Sequence, residues 1–408
     1  MSMEPVLAPQ RSADSPRLLR EINDHVVLGL LLAEGPMTRG RIGERTGLSK
    51  PTVSSLLSRL DERGLVTTTG VVEGNGPGPN ARIYAVNPRA AYVIGVHVEQ
   101  HLSIAGLATL TGEVVATHAV EVPQRRESAP IDEMTAAVDG VLAAAGLPRS
   151  AVHEVIVATP GVIDPVTGHL RHARHIKGWE TPGLTALMTQ TLGIPVSQGN
   201  DVNLAAVAEG LLGAARDRTD YALLWLDRGV GLGLVLGGTV RTGAHGGAGE
   251  IGYLPVAGID HPRVDRGAAG GFQQLVGGQG MRALAKRHGI ATGEPAAIVT
   301  AALAGGRRGD DLLVELADGI ALGATAVTTL LDPGLLVLGG PVALAGGRRL
   351  LDLVVTHMRQ ASFVRPEVVL STVHDNGVLL GAIEVALQQV RNKLFGQPAA
   401  ALSRGAVG

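Results

Sequence analysis

The sequence predicts a winged helix-turn-helix head followed by a body of two α/β lobes. Three observations predict it. A capped helix-turn-helix pattern with a Gly/Pro-rich wing lies within residues 1–90. Beyond it, apolar strands alternate with helical stretches in two successive blocks, each opening with a hairpin sheet. Charge divides at the same place. Residues 36–90 hold eight basic and four acidic side chains, a net of +4, whereas 24 basic and 28 acidic residues from Ala91 onward give −4.

Leu18, Ile22, Val26 and Leu30 recur every four residues, with Leu19, Val27 and Leu31 beside them, and predict the apolar face of a first helix. Gly35-Pro36 stops it. Thr38 caps a short second helix with Ile42 inward, and Gly47 makes the turn. Ser49 is the expected N-cap of a third helix, with Pro51 in its first turn and Val53, Leu56, Leu57 and Leu60 inward. Gly64 closes that helix. Strands at 65–69 and 82–86, joined by a tip at 74–79, form the wing. In the body, strands are expected at 92–98, 102–109 and 113–122, with Thr111-Gly112 as a hairpin turn. A helix at 131–145 then leads to a buried strand at 154–158. The second block begins at 221–226 and continues at 233–236 and 239–242. A further strand at 335–338 and a last helix at 378–393 complete the chain.

Composition narrows the function classes. The 408 residues suffice for two or three domains, and 45% are apolar, so disorder throughout is excluded. Aromatics are 2%, so Val, Leu, Ile and Ala must fill the core. The 57 glycines and 22 prolines follow no G-X-Y period, which excludes collagen. Net charge is −2, so any nucleic-acid contact must come from a local patch. No cysteine is present, which excludes disulfides, thiolate zinc sites, iron–sulfur clusters and a Cys nucleophile. The first 16 residues do not read as a signal peptide. No run of 18 apolar residues is evident, so no membrane partner is expected and a cytoplasmic location is. The 13 histidines are scattered, without an HExxH motif or a Ser–His–Asp set, and no catalytic residue is assigned.

The third helix carries the sharpest signal. Opposite its apolar face stand Pro51, Ser55 and Ser58, flanked by Thr52 and Arg59, with Lys50 at the N-terminal end. Small hydroxyls admit a helix close to base edges, and Lys or Arg reaches phosphate or guanine. The expected contacts to a double-stranded DNA operator are therefore Thr38, Arg39, Ser49, Lys50, Pro51, Thr52, Ser55 and Arg59, with Asn80 and Arg82 from the wing. The blander readings are a solvated surface helix, which Glu62 suits better, and a flexible linker for the wing tip.

Weaker motifs lie in the body. G-N-D-V-N at 199–203 offers Asn200 and Asp201 at a strand end, able to bond sugar hydroxyls or, for Asp201, to act as a general base. A helix N-cap is the plain alternative. G-A-G-E-I-G-Y at 247–253 presents Glu250 in a glycine-rich loop. R-G-V-G-L-G at 228–233 and L-G-G-P at 338–341 have the glycine of phosphate loops, but the first has no adjacent Ser, Thr or Lys and reads better as a hairpin turn.

In this order these motifs resemble the ROK family (repressors, open reading frames and sugar kinases), specifically its transcriptional regulators. The resemblance runs from about Leu18 to Phe395. It rests on T-R-G-R-I-G-E-R-T-G-L-S-K-P-T-V-S-S-L, V-I-G-V at 93–96, T-P-G-V-I-D at 159–164, Gly178-Trp179, G-N-D-V-N, G-V-G-L-G, G-A-G-E-I-G-Y and V-L-G-G-P-V. It implies an actin-like (ribonuclease H-like) body with a ligand cleft between its lobes. The implied division is a head at 1–90, a first lobe at 91–200 completed by the helix at 376–395, and a second lobe at 201–375 that carries the cleft and oligomer contacts. The implied effector residues are Gly161, Asn200, Asp201 and Glu250, with Tyr253 and Gln273 replacing the family's His and Glu.

The departures bear on chemistry. His97 stands where the family's kinases carry the Asp of their first phosphate loop, and Arg228 where the second carries Thr or Ser, so no ATP is expected. The zinc-site positions read Tyr253, Val264, Arg266 and Gly271, so no zinc is expected. The resulting expectation is a repressor of carbohydrate genes, a homodimer or homotetramer, relieved or modulated by a sugar or sugar phosphate. The alternatives are a ligand-independent regulator whose body only oligomerises, and, further off, a sugar kinase.

Overall fold

The computed structural model describes residues 15–72, 81–122, 129–173, 175–260, 270–373 and 376–396. In the head, α1 (Ser15–Glu34) leads to β1 (Met37–Thr38) and α2 (Arg39–Thr46). Thr38 caps α2, its Oγ1 accepting from the Arg41 N–H at 3.4 Å, and Gly47 ends it at φ 72°. Ser49 caps α3 (Lys50–Glu62) by accepting from the Thr52 N–H at 3.4 Å, and Val53, Leu56, Leu57 and Leu60 are buried as the spacing predicts. The wing is β2 (Val66–Val72) against β3 (Ala81–Val86), with β1 on the far edge of β3. The expected tip at 74–79 and Asn80 lie outside the described residues.

The first helix departs from its expected face. Leu18 and Val26 remain 38% and 45% exposed, while Val27, Leu28 and Leu31 are buried with Asp24. A four-residue spacing drifts off a 3.6-residue helix, so the buried stripe falls on Asp24, Val27, Leu28 and Leu31. The charged Asp24 in that stripe is paid for by two arginines, described below.

The body repeats one topology. In the first lobe β4 (Tyr92–Val98), β5 (Leu102–Thr109) and β6 (Val114–Glu121) run antiparallel. After α4 (Pro130–Ala145), β7 (Val152–Thr159) lies parallel to β4. A short hairpin, β8 (Val162–Ile163) and β9 (Leu170–Arg171), and α5 (Leu184–Leu192) precede β10 (Val196–Asn200), which is parallel to β7. Following α6 (Asp201–Leu212), the second lobe repeats the pattern. Its antiparallel strands are β11 (Tyr221–Leu226), β12 (Val230–Leu236) and β13 (Thr239–Val240). Next come α7 (Gly271–Val276), α8 (Gly278–His288), α9 (Pro295–Ala304) and α10 (Gly306–Leu331). Then β14 (Leu335–Gly339), α11 (Gly340–Ala361) and β15 (Glu367–Leu370) add two parallel strands, and α12 (Gly377–Phe395) ends the fold. The sheet orders, β10-β7-β4-β5-β6 and β13-β12-β11-β14-β15, are equivalent. The long helix α10 is apolar enough by length and composition to cross a membrane, which the sequence reading did not anticipate. Its Leu312, Leu313, Leu316, Ile320 and Val327 are buried in the second lobe's core.

Two helices hold the lobes and head together. The outer face of the first sheet is covered by α4 and α5, and the corresponding face of the second by α7 to α11. Between the sheets lie α6 and α12, packed on each other, on β4 and β7, and on β11 and β12. Their cluster continues without a break into the head, from Ile383, Val390 and Phe395 to Leu28, Leu57 and Val86. Polar contacts close the seam. Arg59 and Arg63 both pair with the buried Asp24, and Arg63 also donates to the Leu394 carbonyl at 2.6 Å. His25 Nδ1 donates to the Gly396 carbonyl at 2.9 Å.

The crossing of α6 and α12 requires Gly381, because a β-carbon there would collide with the Leu204 carbonyl. Gly381→Ala is expected to destabilise the protein by about 1–3 kcal/mol through this overpacking. Gly29→Ala, in the interior of α1 with open space at its β-carbon, is expected to stabilise by about 0.5–1 kcal/mol. Urea unfolding of the two variants measures both, and equal midpoints would show that the helices tolerate separation.

Candidate functional site

Two sites take shape, one in the head and one in the body. In the head, Ser49, Lys50, Pro51, Thr52 and Ser55 are exposed along α3, as are Arg39 on α2 and Arg82 on β3. Thr38 is half-buried as a cap. Arg39 donates to Ser54 Oγ at 3.0 Å, and that hydroxyl donates to the Lys50 carbonyl at 2.8 Å, so α2 and the start of α3 are tied together. Lys50 and Arg82 have no carboxylate partner among the described residues. Arg59 departs from the expected set. Its guanidinium turns to Asp24 on α1, so it braces the helix rather than extending from it. A buried carboxylate holds a cation more firmly than solvent does, which is why sequence spacing alone misplaces this residue.

In the body, a cavity of about 610 Å³ opens at the strand ends between the lobes. All six residues selected from the sequence line it: Gly161, Asn200, Asp201, Glu250, Tyr253 and Gln273. The sequence reading missed His172, His175, Trp225, Asp227 and Glu99, which line it too. A signal existed for two of them. Glu99 and Asp227 directly follow β4 and β11, the first strands of the two equivalent sheets, and carboxyl ends of parallel strands are where α/β folds place ligands.

The six do different work. Asn200 is the N-cap of α6: its Oδ1 accepts from the Asn203 N–H at 2.9 Å and its Nδ2 donates to the Gly161 carbonyl at 3.0 Å. One hydrogen on Nδ2 and one lone pair on Oδ1 remain for a ligand. Gln273 bridges the backbone of the β11–β12 turn, accepting from the Val230 N–H and donating to the Arg228 carbonyl, both at 2.9 Å. Tyr253 is exposed at the rim. Glu250 makes no hydrogen bond to a described side chain, and burial, with Asp201 nearby, pushes its carboxyl above the usual range. Asp201 accepts from the Val202 N–H at 2.8 Å. Burial, reinforced by Asp227 and Glu99, nevertheless pushes it up to about 6. Burial pushes the His97 imidazole down to about 4, so it is uncharged at neutral pH and its approach to Glu99 is not an ion pair there.

The glycine clusters are placed differently from expectation. The expected hairpin turn holds for Arg228 and Gly229, between β11 and β12, but not for the rest of G-V-G-L-G. From Val230 it is strand β12, and β-carbons at Gly231 and Gly233 would come within 2.8 Å of Val202 Cγ2 and 2.9 Å of the Val202 carbonyl on α6. The glycines allow close packing of a helix on a strand. The turn itself is 227–229, closed by Asp227 N–H to the Gly229 carbonyl at 3.1 Å. L-G-G-P forms the junction from β14 into α11.

The zinc that the resemblance implies does not fit these residues. Both ends of the Gln273 amide are engaged by backbone, and the chain has no thiolate to offer. Val264 and Arg266 lie outside the described residues, while Gly271 begins α7.

Together, head and body define a winged-helix protein built on an actin-like body with a cavity between its lobes. The chain belongs to the ROK family, whose model matches residues 93–389, and a MarR family model matches residues 21–74. It is similar to the DNA-binding transcriptional dual regulator NagC of Escherichia coli K12, 27% identical over 59% of this chain. That match spans only 58% of NagC. A putative xylose repressor from Caldicellulosiruptor sp. is 21% identical over 91% of this chain and 97% of its own. Among solved structures, a ROK family transcriptional regulator, a homolog of the E. coli MLC protein, superposes with a TM-score of 0.74 at 21% identity. It covers 92% of this chain and 98% of its own, and shows the shared fold. A ROK glucokinase from Streptomyces griseus, solved with glucose and AMPPNP, is 26% identical with a TM-score of 0.62. It covers 73% of this chain and 100% of its own.

A carboxyl that ordinarily titrates near 3.8 and is held at about 6 in the fold keeps its proton in the native state across that window. The contribution of this carboxyl to stability therefore falls as pH rises through the window and is least favourable above about 6. Asp201→Asn is expected to stabilise the protein by about 1–3 kcal/mol at pH 7, with the gain vanishing near the unfolded pKa. Urea titrations across pH check this, and a pH-independent difference would refute it.

Proposed function

We propose that the protein is a cytoplasmic, sequence-specific DNA-binding regulator, a repressor whose operator affinity responds to a sugar in the interlobe cleft. The carrying observation is the exposed, N-capped row Ser49, Lys50, Thr52 and Ser55 on a net-positive head, fused to a body whose carboxylates converge on one cavity. One recognition helix reads too few bases alone, so two heads of a dimer or tetramer act on an inverted-repeat site. Relatives whose names describe a transcriptional regulator and a xylose repressor support this reading. The kinase reading is weaker. His97 is an imidazole, uncharged at neutral pH, where a kinase needs a carboxylate, and Arg228 is drawn to Glu294 at 2.7 Å. An assay with ATP and glucose should give no sugar phosphate.

Coupling between cleft and head runs through α12. Val378, in its first turn, lines the cavity, and Leu394 and Phe395, in its last, contact the head. At 1.5 Å per residue its 19 residues span about 28 Å. A sugar that binds one lobe arrangement better than the other shifts this rod and with it the spacing of the heads.

The test begins with duplexes selected from a random pool. Lys50→Ala is expected to weaken binding roughly tenfold and to lower the salt slope by about one. Wild-type affinity in that variant would remove α3 from the interface. Sugar titration of the selected complex should change its affinity. Arg63→Met, which cuts the tie to Leu394, should leave the heat of sugar binding intact while shrinking the sugar-induced change in DNA affinity. An undiminished response would exclude this route.

A further inference from the structure

We infer that the cleft takes an unphosphorylated sugar, neutral or bearing an amino group, and rejects the phosphate ester, because its wall offers acceptors and an excess of carboxylates, and its one arginine is already paired with a glutamate. The inference rests on the effector role proposed above and deepens it.

Glu99, Asp201, Asp227 and Glu250 all line the one cavity. They lie near enough to act on each other: Glu99 acts on both Asp201 and Asp227, and Asp201 acts on Glu250, each holding its neighbour's proton more firmly. Ionised carboxylates only accept hydrogen bonds, so the wall calls for donors. Sugar hydroxyls and an ammonium group are donors. A phosphate dianion is an acceptor alone and carries the same sign of charge as the wall.

Few of the described lining residues offset this: besides Arg228 the wall holds three imidazoles, His97, His172 and His175. Arg228 is the one arginine or lysine there, and its Nε is bonded to Glu294 Oε2 at 2.7 Å. Burial pushes His97 down to about 4, so it supplies no positive charge at neutral pH, and desolvation together with the nearby Arg228 lowers His175 as well. Arg282 lines only an adjoining cavity of about 470 Å³, reached past Gln100, Arg228 and Gln273, and its Nε donates to the Gly293 carbonyl at 3.2 Å. The volume of about 610 Å³ suits a small sugar, and the half-buried Trp225 gives an apolar surface for a pyranose face.

Isothermal titration of the full-length protein against matched pairs tests the inference: glucose and glucose 6-phosphate, N-acetylglucosamine and its 6-phosphate, with xylose and glucosamine alongside. The expected result is that at least one parent sugar binds and its ester binds at least about tenfold more weakly. An ester that matches or exceeds its parent overturns this inference while leaving the effector reading standing. Silence from every sugar and ester overturns the effector reading and this inference with it. Glu99→Gln and Asp227→Asn, made singly and together and checked for folding by thermal melts, should raise the ester-to-parent affinity ratio. A ratio unmoved in folded variants shows that the carboxylates do not set the preference.

Discussion

The structure depends on the contact of α6 with α12. These helices lie back to back between two equivalent sheets, and Gly381 lets them approach until its Cα sits over the Leu204 carbonyl. Each sheet has one face covered by its own helices and the other by this shared pair. Neither lobe could bury both faces without it. The same contact places both ends of the functional argument. The N-terminus of α6 presents Asp201 to the cavity, and the C-terminus of α12 reaches the head.

Asp24 shows how the head is fastened. A carboxylate only 4% exposed is tolerable because Arg59 and Arg63 come to it from α3. Arg63, the C-cap of α3, has a second partner in the Leu394 carbonyl, so α1, the end of α3 and α12 meet at one point. A continuous apolar cluster and a small polar clasp join the body directly to the head at α3.

The cleft shows the opposite economy. Asn200 and Gln273 spend most of their bonding capacity on backbone and so hold the cavity's shape. Glu250 and Asp201 are buried among like charges, which raises their pKa values and lowers the stability of the fold at neutral pH. Such acceptors are what an incoming donor ligand would satisfy.

Elements whose signal is local can be read along the chain. Caps at Thr38 and Ser49, the inward row from Val53 to Leu60 and the strand at Tyr221–Leu226 were legible because hydrogen bonds and side-chain periodicity act within a few residues, whereas the six residues that line the cavity came from the family resemblance and not from a local signal. The tertiary structure alone decided the rest. It turned Arg59 to Asp24, rotated the buried stripe of α1, and made the glycines at 231 and 233 a packing surface for α6 rather than a loop. It also brought Glu99 and Asp227 to one wall from positions 128 residues apart. Each of these depends on which distant surface a residue meets, and burial and charge pairing act through space rather than along the chain.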